Sequence, residues 1–206
     1  MPRLAAGGTL KTHMTMASAQ SNGVSNRSLN TVVFVDIVGS TELAAALGDE
    51  GWAELLERYH AVVRVVLENT GGEEMDTAGD GVFAVFADSA AALAFGCSIG
   101  GIVEPFGVQV RVGAHTGTCW VSGEKCSGLT VSIGARIVDR AAPDEVLVSA
   151  AVRERLAGDA RFDFQERGDV ELKGVPGRWA LYSVLANAWT GGDRPWARRF
   201  STQVQS

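Results

Sequence analysis

The chain has 206 residues, 46% of them hydrophobic, and a mean hydropathy of +0.10, which is enough for one buried domain with tails and predicts no membrane span. Its net charge is −6, but the two ends carry six of the 18 Lys and Arg and one of the 24 Asp and Glu, so the body is acidic enough to repel nucleic acid and a bare triphosphate alike. Three cysteines without CxxC spacing, Cys97, Cys119 and Cys126, exclude a disulfide framework and a zinc site and fit a reducing cytoplasmic setting.

Residues 1–29 contain Arg3, Lys11 and Arg27, no acid, and mostly Ser, Asn, Gly and Thr otherwise. This composition predicts a disordered N-terminal tail. It shares low acidity and serine content with transit peptides, but has two arginines and no apolar core. Residues 31–37 read as a buried strand, and residues 40–47 as a short helix begun by Ser40 or Thr41 with Glu42 in its first turn. From Trp52 onward the apolar positions 52, 55, 56, 59, 62, 63, 66 and 67 keep helical spacing until Gly71-Gly72 ends the run. Residues 73–78 and 82–86 pair as a hairpin around Asp80. Ser89 opens a second long helix through Leu93, Phe95, Ile99 and Ile102, stopped by Pro105.

Val108, Val110, Val112 and Ala114 then alternate as a strand, with Gln109 and Arg111 on the opposite side. After them come a helix over 129–140, a turn at Pro143-Asp144, a strand over 145–149 and a helix over 150–156. Strands over 162–167, 170–172 and 179–184 close the body. Residues 187–206 form a basic C-terminal tail, with Arg194, Arg198 and Arg199 against Asp193, and with Trp189, Trp196 and Phe200 available to dock on the body or on a partner. The first half contains the split βαβ of ferredoxin-like folds. The predicted class for residues 30–186 is therefore α+β, an α/β sandwich with a βαββαβ core and C-terminal strand and helix additions.

Two acidic motifs carry chemistry. In Phe34-Val35-Asp36-Ile37-Val38-Gly39-Ser40-Thr41 a strand runs into the acid, and the Gly39-Ser40-Thr41 that follows is a helix start whose free N–H groups suit phosphate. In Ala78-Gly79-Asp80-Gly81-Val82-Phe83 the acid sits in a glycine-flanked hairpin tip that has no need of a carboxylate. Asp36 alone also reads as a helix-capping carboxylate, or as a receiver-domain phosphoacceptor whose usual acidic pair is lacking. Together with Asp80 it describes a two-metal nucleotide site. His115, in an alternating apolar strand, reads as a hydrogen-bonded structural residue, and Trp120 as a core or interface residue.

These motifs, with Val112-Gly113-Ala114-His115-Thr116-Gly117, the run from Gly128 to Arg136, Glu145-Val146-Leu147-Val148-Ser149 and Leu172-Lys173-Gly174, resemble in order the class III nucleotidyl (adenylate/guanylate) cyclase catalytic domain of the small soluble bacterial type. The resemblance implies that fold and a head-to-tail homodimer with the site at its interface. In one protomer Asp36, Ile37 and Asp80 would hold two divalent cations, Mg²⁺ or Mn²⁺, while backbone from Val38, Gly39, Ser40 and Thr41 wraps the triphosphate. The partner would supply Arg136 to the α-phosphoryl oxygens and Lys173 to the terminal phosphate.

Several positions depart from the family pattern. Adenylyl cyclases commonly read the base with a lysine four residues before the second metal aspartate and an aspartate three residues before the glycine matching Gly128. Here Asp76 and Lys125 exchange those signs, either to read a base or to face water, and a pair reading the base is expected to lie across the interface. Ser132 replaces a transition-state asparagine, and Thr118 an arginine found in some members. The expected substrate is ATP, converted to its 3′,5′-cyclic monophosphate and pyrophosphate. The resemblance also keeps open a pyrimidine (UTP or CTP) cyclase of the phage-defence kind and a nucleotide-binding regulatory domain with weak turnover.

Overall fold

Strand β1 (Asn26–Ile37) is central to an eight-stranded sheet in a computed structural model that describes residues 26–123 and 125–186. Its valines are buried whichever way they point, with Val32 and Val33 both at 0% exposure, because helices cover both faces. On one side Val33, Val35 and Ile37 join a core with Tyr59, Val63, Phe95 and Ile99 from α1 (Ser40–Thr70) and α2 (Ser89–Val103). On the other side Val32 and Phe34 meet α3 (Leu129–Val138) at Gly134, where an added Cβ would lie 2.7 Å from Val32 and 2.9 Å from the Phe34 ring. Asp36 belongs to this second face by strand alternation.

The first part of the sheet is the expected βαββαβ unit. β2 (Glu73–Ala78), β3 (Gly81–Phe86), β1 and β4 (Val110–Ser122) lie side by side in that order, and every pairing among them is antiparallel. The additions extend the sheet beyond β4 as β6 (Val146–Ser149), β8 (Arg178–Ala186) and β7 (Phe162–Glu171), with α4 (Ala150–Arg155) between β6 and β7. A smaller core of Ile133, Ile137, Leu147, Leu172 and Leu181 sits under α3.

Several boundaries differ from the sequence reading, each for a physical reason. β1 starts at Asn26, not residue 31, because β4 continues to Ser122 and pairs with it from Asn26↔Val121 onward; this removes residues 26–29 from the predicted tail. The remaining predictions for residues 1–25 and 187–206, including docking by Trp189, Trp196 and Phe200, lie outside the described residues. The helices expected at 40–47 and from 52 onward form one α1 with a break at Gly48, whose φ of 72° suits glycine. Neither Ser40 nor Thr41 caps α1; the cap position is Gly39, with no side-chain cap. Asp88 caps α2 by accepting from Ala90 N at 2.9 Å, which frees Ser89 to bond Thr31 within the core at 2.8 Å. Strands 162–167 and 170–172 are one β7 with a register shift between Glu166 and Gly168. Trp120 is not a core residue: it is 49% exposed on β4.

Residues Ser89–Phe106 form an 18-residue helical stretch with mean hydropathy 1.4, long and apolar enough to cross a membrane by length and composition alone. Leu93, Phe95, Ile99 and Val103 spend that apolar character on the sheet, each being essentially inaccessible.

Candidate active site

Asp36 lies one residue before the end of β1, directly opposite Arg111 of β4. Cross-strand partners share a face, and Arg111 meets Asp36 Oδ2 through Nε at 2.9 Å and Nη2 at 2.5 Å. Beyond Ile37 the chain turns through Gly39, at φ 66°, into α1. The turn is pinned by Val38 N donating to Gln109 O and Leu43 N donating to Gly39 O, both at 2.9 Å. The N–H groups of Ser40 and Thr41 belong to an uncapped helix start and have no carbonyl within the helix to bond.

Asp80 occupies the two-residue turn between β2 and β3, beside Gly79 at φ 64°. His60 of α1 anchors this tip through a 2.8 Å contact between Nε2 and Gly79 O. The Asp80 carboxyl is near enough to Asp36 to act on its ionisation. Burial raises the Asp36 pKa above the usual carboxylate value; the Arg111 guanidinium opposes the rise, and the charge and hydrogen bond of Asp80 add to it. Asp80 Oδ2 is buried with no hydrogen-bond partner. Two neighbouring carboxylates and an orphaned acceptor are a donor set that suits a hard cation. Among the described residues no group of three or more His, Cys, Asp or Glu could hold a metal, in keeping with Mg²⁺-type sites, which use one or two carboxylates plus substrate phosphate.

A cavity of about 580 Å³ opens from Asp36 along the α3 face. Its floor includes Phe34 and Phe83, stacked with centroids 4.5 Å apart, and Asp76 and Lys125 both line it. The exchanged pair thus shares one cavity of one chain, where the sequence reading expected it across an interface. Lys125 gets there on β5 (Lys125–Ser127), a short strand paired with the end of β4 that the sequence reading missed. Three residues give too short a periodic signal to find.

Ser132 and Arg136 project from the exposed side of α3. Arg136 Nε donates to Lys173 O at 3.2 Å and Nη1 to Asp139 at 3.1 Å, so Arg136 and Lys173 adjoin each other. Neither they nor Ser132 line the cavity beside Asp36. Lys173 instead lines a separate depression with Arg140 and Arg178. The structure therefore gathers the predicted residues into two groups, one around Asp36 and Asp80 and one around Arg136 and Lys173. Arg111 is the site residue that sequence reasoning passed over; its alternation away from the core was visible, but its register against Asp36 was not.

His115 is structural, as expected. It is 5% exposed, its Nδ1 lies 2.8 Å from Ser149 Oγ, and Trp179 packs edge-on against its ring.

Comparison with known proteins places this geometry. The model of the adenylate and guanylate cyclase catalytic domain matches residues 25–186. A Rhizobium meliloti protein described as uncharacterized is 30% identical over 194 residues, covering 83% of this chain and 18% of that protein. The pH-sensitive adenylate cyclase MT1302 of Mycobacterium tuberculosis is 29% identical over 169 residues, covering 79% of this chain and 42% of that protein. The chain thus matches less than half the length of these relatives. In fold it is similar to the adenylyl cyclase CyaB from P. aeruginosa, with TM-score 0.75, 22% identity and coverage of 82% and 99% of the two chains. It is also similar to the guanylate cyclase domain of RhGC from Catenaria anguillulae, with TM-score 0.69, 19% identity and coverage of 77% and 96%. A family match spanning nearly the whole described body, over a sheet of the same architecture, means that this chain belongs to the adenylate and guanylate cyclase catalytic domain family.

Proposed function

We propose that the chain converts a nucleoside triphosphate, ATP first, to its 3′,5′-cyclic monophosphate and pyrophosphate in a homodimer in the cytoplasm. The observation that carries this reading is the buried, unpartnered Asp80 Oδ2 near Asp36 at the end of β1, beside an uncapped helix start. Asp36, Asp80 and the carbonyl of Ile37 would hold two Mg²⁺ or Mn²⁺ ions. Bound there, such ions supply Lewis-acid stabilisation to the attacking 3′-oxygen and to departing pyrophosphate. Val38 N–H is already committed to Gln109 O, so the N–H groups of Gly39, Ser40 and Thr41 would cradle the phosphates at the positive end of α1.

Because neither Arg136 nor Lys173 lines the cavity beside Asp36 of its own chain, a partner protomer is the natural source of both donors. Arg136 offers a fixed fork to charge growing on the α-phosphoryl oxygens, and Lys173 a point charge to the terminal phosphate. Ser132 adds a single hydroxyl donor. Arg111 pairs with Asp36, which keeps two acids compatible in one half-buried place.

A second reading, a pyrimidine cyclase, draws on the placement of Asp76 and Lys125 on the walls of one cavity, where one acceptor and one donor can meet a base edge in a sense opposite to the family's adenine readers. Incubating the purified chain with each of the four triphosphates and Mn²⁺, with mass spectrometry of the products, tests both. Cyclic AMP as the dominant product supports the first reading, and cyclic UMP or CMP the second. No cyclic product from any triphosphate would sink the catalytic reading.

A further inference from the structure

Among the described residues, the buried side-chain N and O atoms lacking a hydrogen-bond partner are Tyr59 Oη, His60 Nδ1 and Asp80 Oδ2. All three belong to one corner, where α1 meets the β2–β3 tip: His60 holds Gly79 O, and Tyr59 packs edge-on against His60. Tyr59 is 0% exposed. Its neighbours in the core are Val63, Phe95 and other apolar groups, against which a phenylalanine would pack equally well. A buried hydroxyl without a partner is a cost, so its presence calls for a partner in another state of the molecule.

Tyr59 Oη is a donor and Asp80 Oδ2 an acceptor. Tyr59 neighbours His60 on α1, and His60 holds the residue before Asp80; burial first, and then the charges of Asp80 and Asp36, disfavour ionisation of the Tyr59 hydroxyl. Asp80 Oδ2 is the buried acceptor of this corner and has no hydrogen-bond partner. A cation held by Asp80 on its Asp36 side leaves this buried oxygen still in need of a donor.

We infer that Tyr59 is a positioning residue: in the loaded site its hydroxyl donates to the Asp80 carboxylate and fixes the orientation in which that carboxylate meets a divalent cation. The inference rests on the proposed function only in taking Asp80 as a metal ligand. Partners of metal-ligating carboxylates typically change metal affinity 10- to 100-fold when removed.

The test is a Mn²⁺ titration of the full chain, free Mn²⁺ being followed by electron paramagnetic resonance, with melting temperatures measured with and without the metal. Neither readout needs turnover. Tyr59→Phe is expected to melt at or above wild type without metal, because it removes an orphaned hydroxyl, and to bind Mn²⁺ about tenfold more weakly. Its Mn²⁺-induced rise in melting temperature shrinks accordingly. Asp80→Ala serves as the reference that loses the site. Unchanged Mn²⁺ affinity in Tyr59→Phe overturns the inference. So does a clear fall in its metal-free melting temperature, which would mark the hydroxyl as a structural contact already made. Failure of the wild-type chain to bind Mn²⁺ at all removes the metal reading and this inference with it, whereas binding by wild type that Tyr59→Phe retains in full removes the inference alone.

Discussion

Asp36 and His115 are half-buried and buried titratable residues on the same face of the sheet, and they are handled in different ways. Asp36 has Arg111 across the ladder, a pair exposed enough, at 31% and 29% of the two side chains, to add little to stability; its use is local charge balance where two acids meet. His115 has no acid, only Ser149 Oγ, and burial holds its pKa down to about 4 from an ordinary 6.5. The unfolded chain therefore takes up a proton near pH 6.5 that the folded chain refuses until about pH 4. Stability from this residue is complete above that window and falls as pH drops through it, by about 3 kcal/mol at most. His115→Gln, which keeps a polar partner for Ser149 without a titrating ring, should lose about 2 kcal/mol less than wild type between pH 7 and 4.5 in urea unfolding. Equal losses in the two proteins would show that the ring is not the group sensing pH.

At the scale of elements, α3 and the strands beneath it show what the sequence made legible and what it hid. Helical spacing and glycine stops revealed α1, α2 and α3, and valine alternation revealed β1 and β4, because each signal extends over many residues. The motifs gave Asp36 and Asp80 by their position at a strand end and a hairpin tip. The β2–β3 hairpin apart, strand register was not legible, and with it went Arg111, β5 and the cavity shared by Asp76 and Lys125, since register is a long-range property that local pattern does not encode. Close approach of α3 to the sheet was equally hidden, though Gly113 and Gly134 make it possible. A Cβ on Gly113 would come 2.3 Å from the backbone N of Val138, and one on Gly134 would meet the ends of Val32 and Phe34 at 2.7 and 2.9 Å. Backbone cannot step aside as side-chain ends can. Gly113→Ala should therefore destabilise by about 3 kcal/mol or more, and Gly134→Ala by about 1 to 2 kcal/mol, in chemical unfolding. The reverse order would mean that α3 tilts freely over β4.

At the scale of the whole molecule, the division of the site residues into two groups has a consequence for assembly. Asp36 lines one cavity, with Asp80 at the neighbouring β2–β3 tip, while Arg136 and Lys173 adjoin each other on the outer side of α3 and the loop before β8. An acidic body would also repel a second copy unless the facing surfaces bring opposite charges together, and the exposed cations of one group could meet the two acids of the other, for which, among the described residues, Arg111 is the one cation paired within the chain. A head-to-tail pair of the kind proposed would place each group against its complement and would make two equivalent sites by symmetry. The arrangement makes a prediction that no single-chain site shares. Asp36→Ala and Arg136→Ala should each be nearly inactive alone, because in either homodimer both sites lack the same part. In an equal mixture half of the dimers are mixed, and each of those carries one site with an intact Asp36 from one chain and an intact Arg136 from the other, so roughly a quarter of wild-type turnover should return. Heterodimer formation is checked independently by native mass spectrometry. If mixed dimers form and the mixture stays as inactive as its parents, each chain must build its site alone, and Arg136 would then have to reach Asp36 within one protomer.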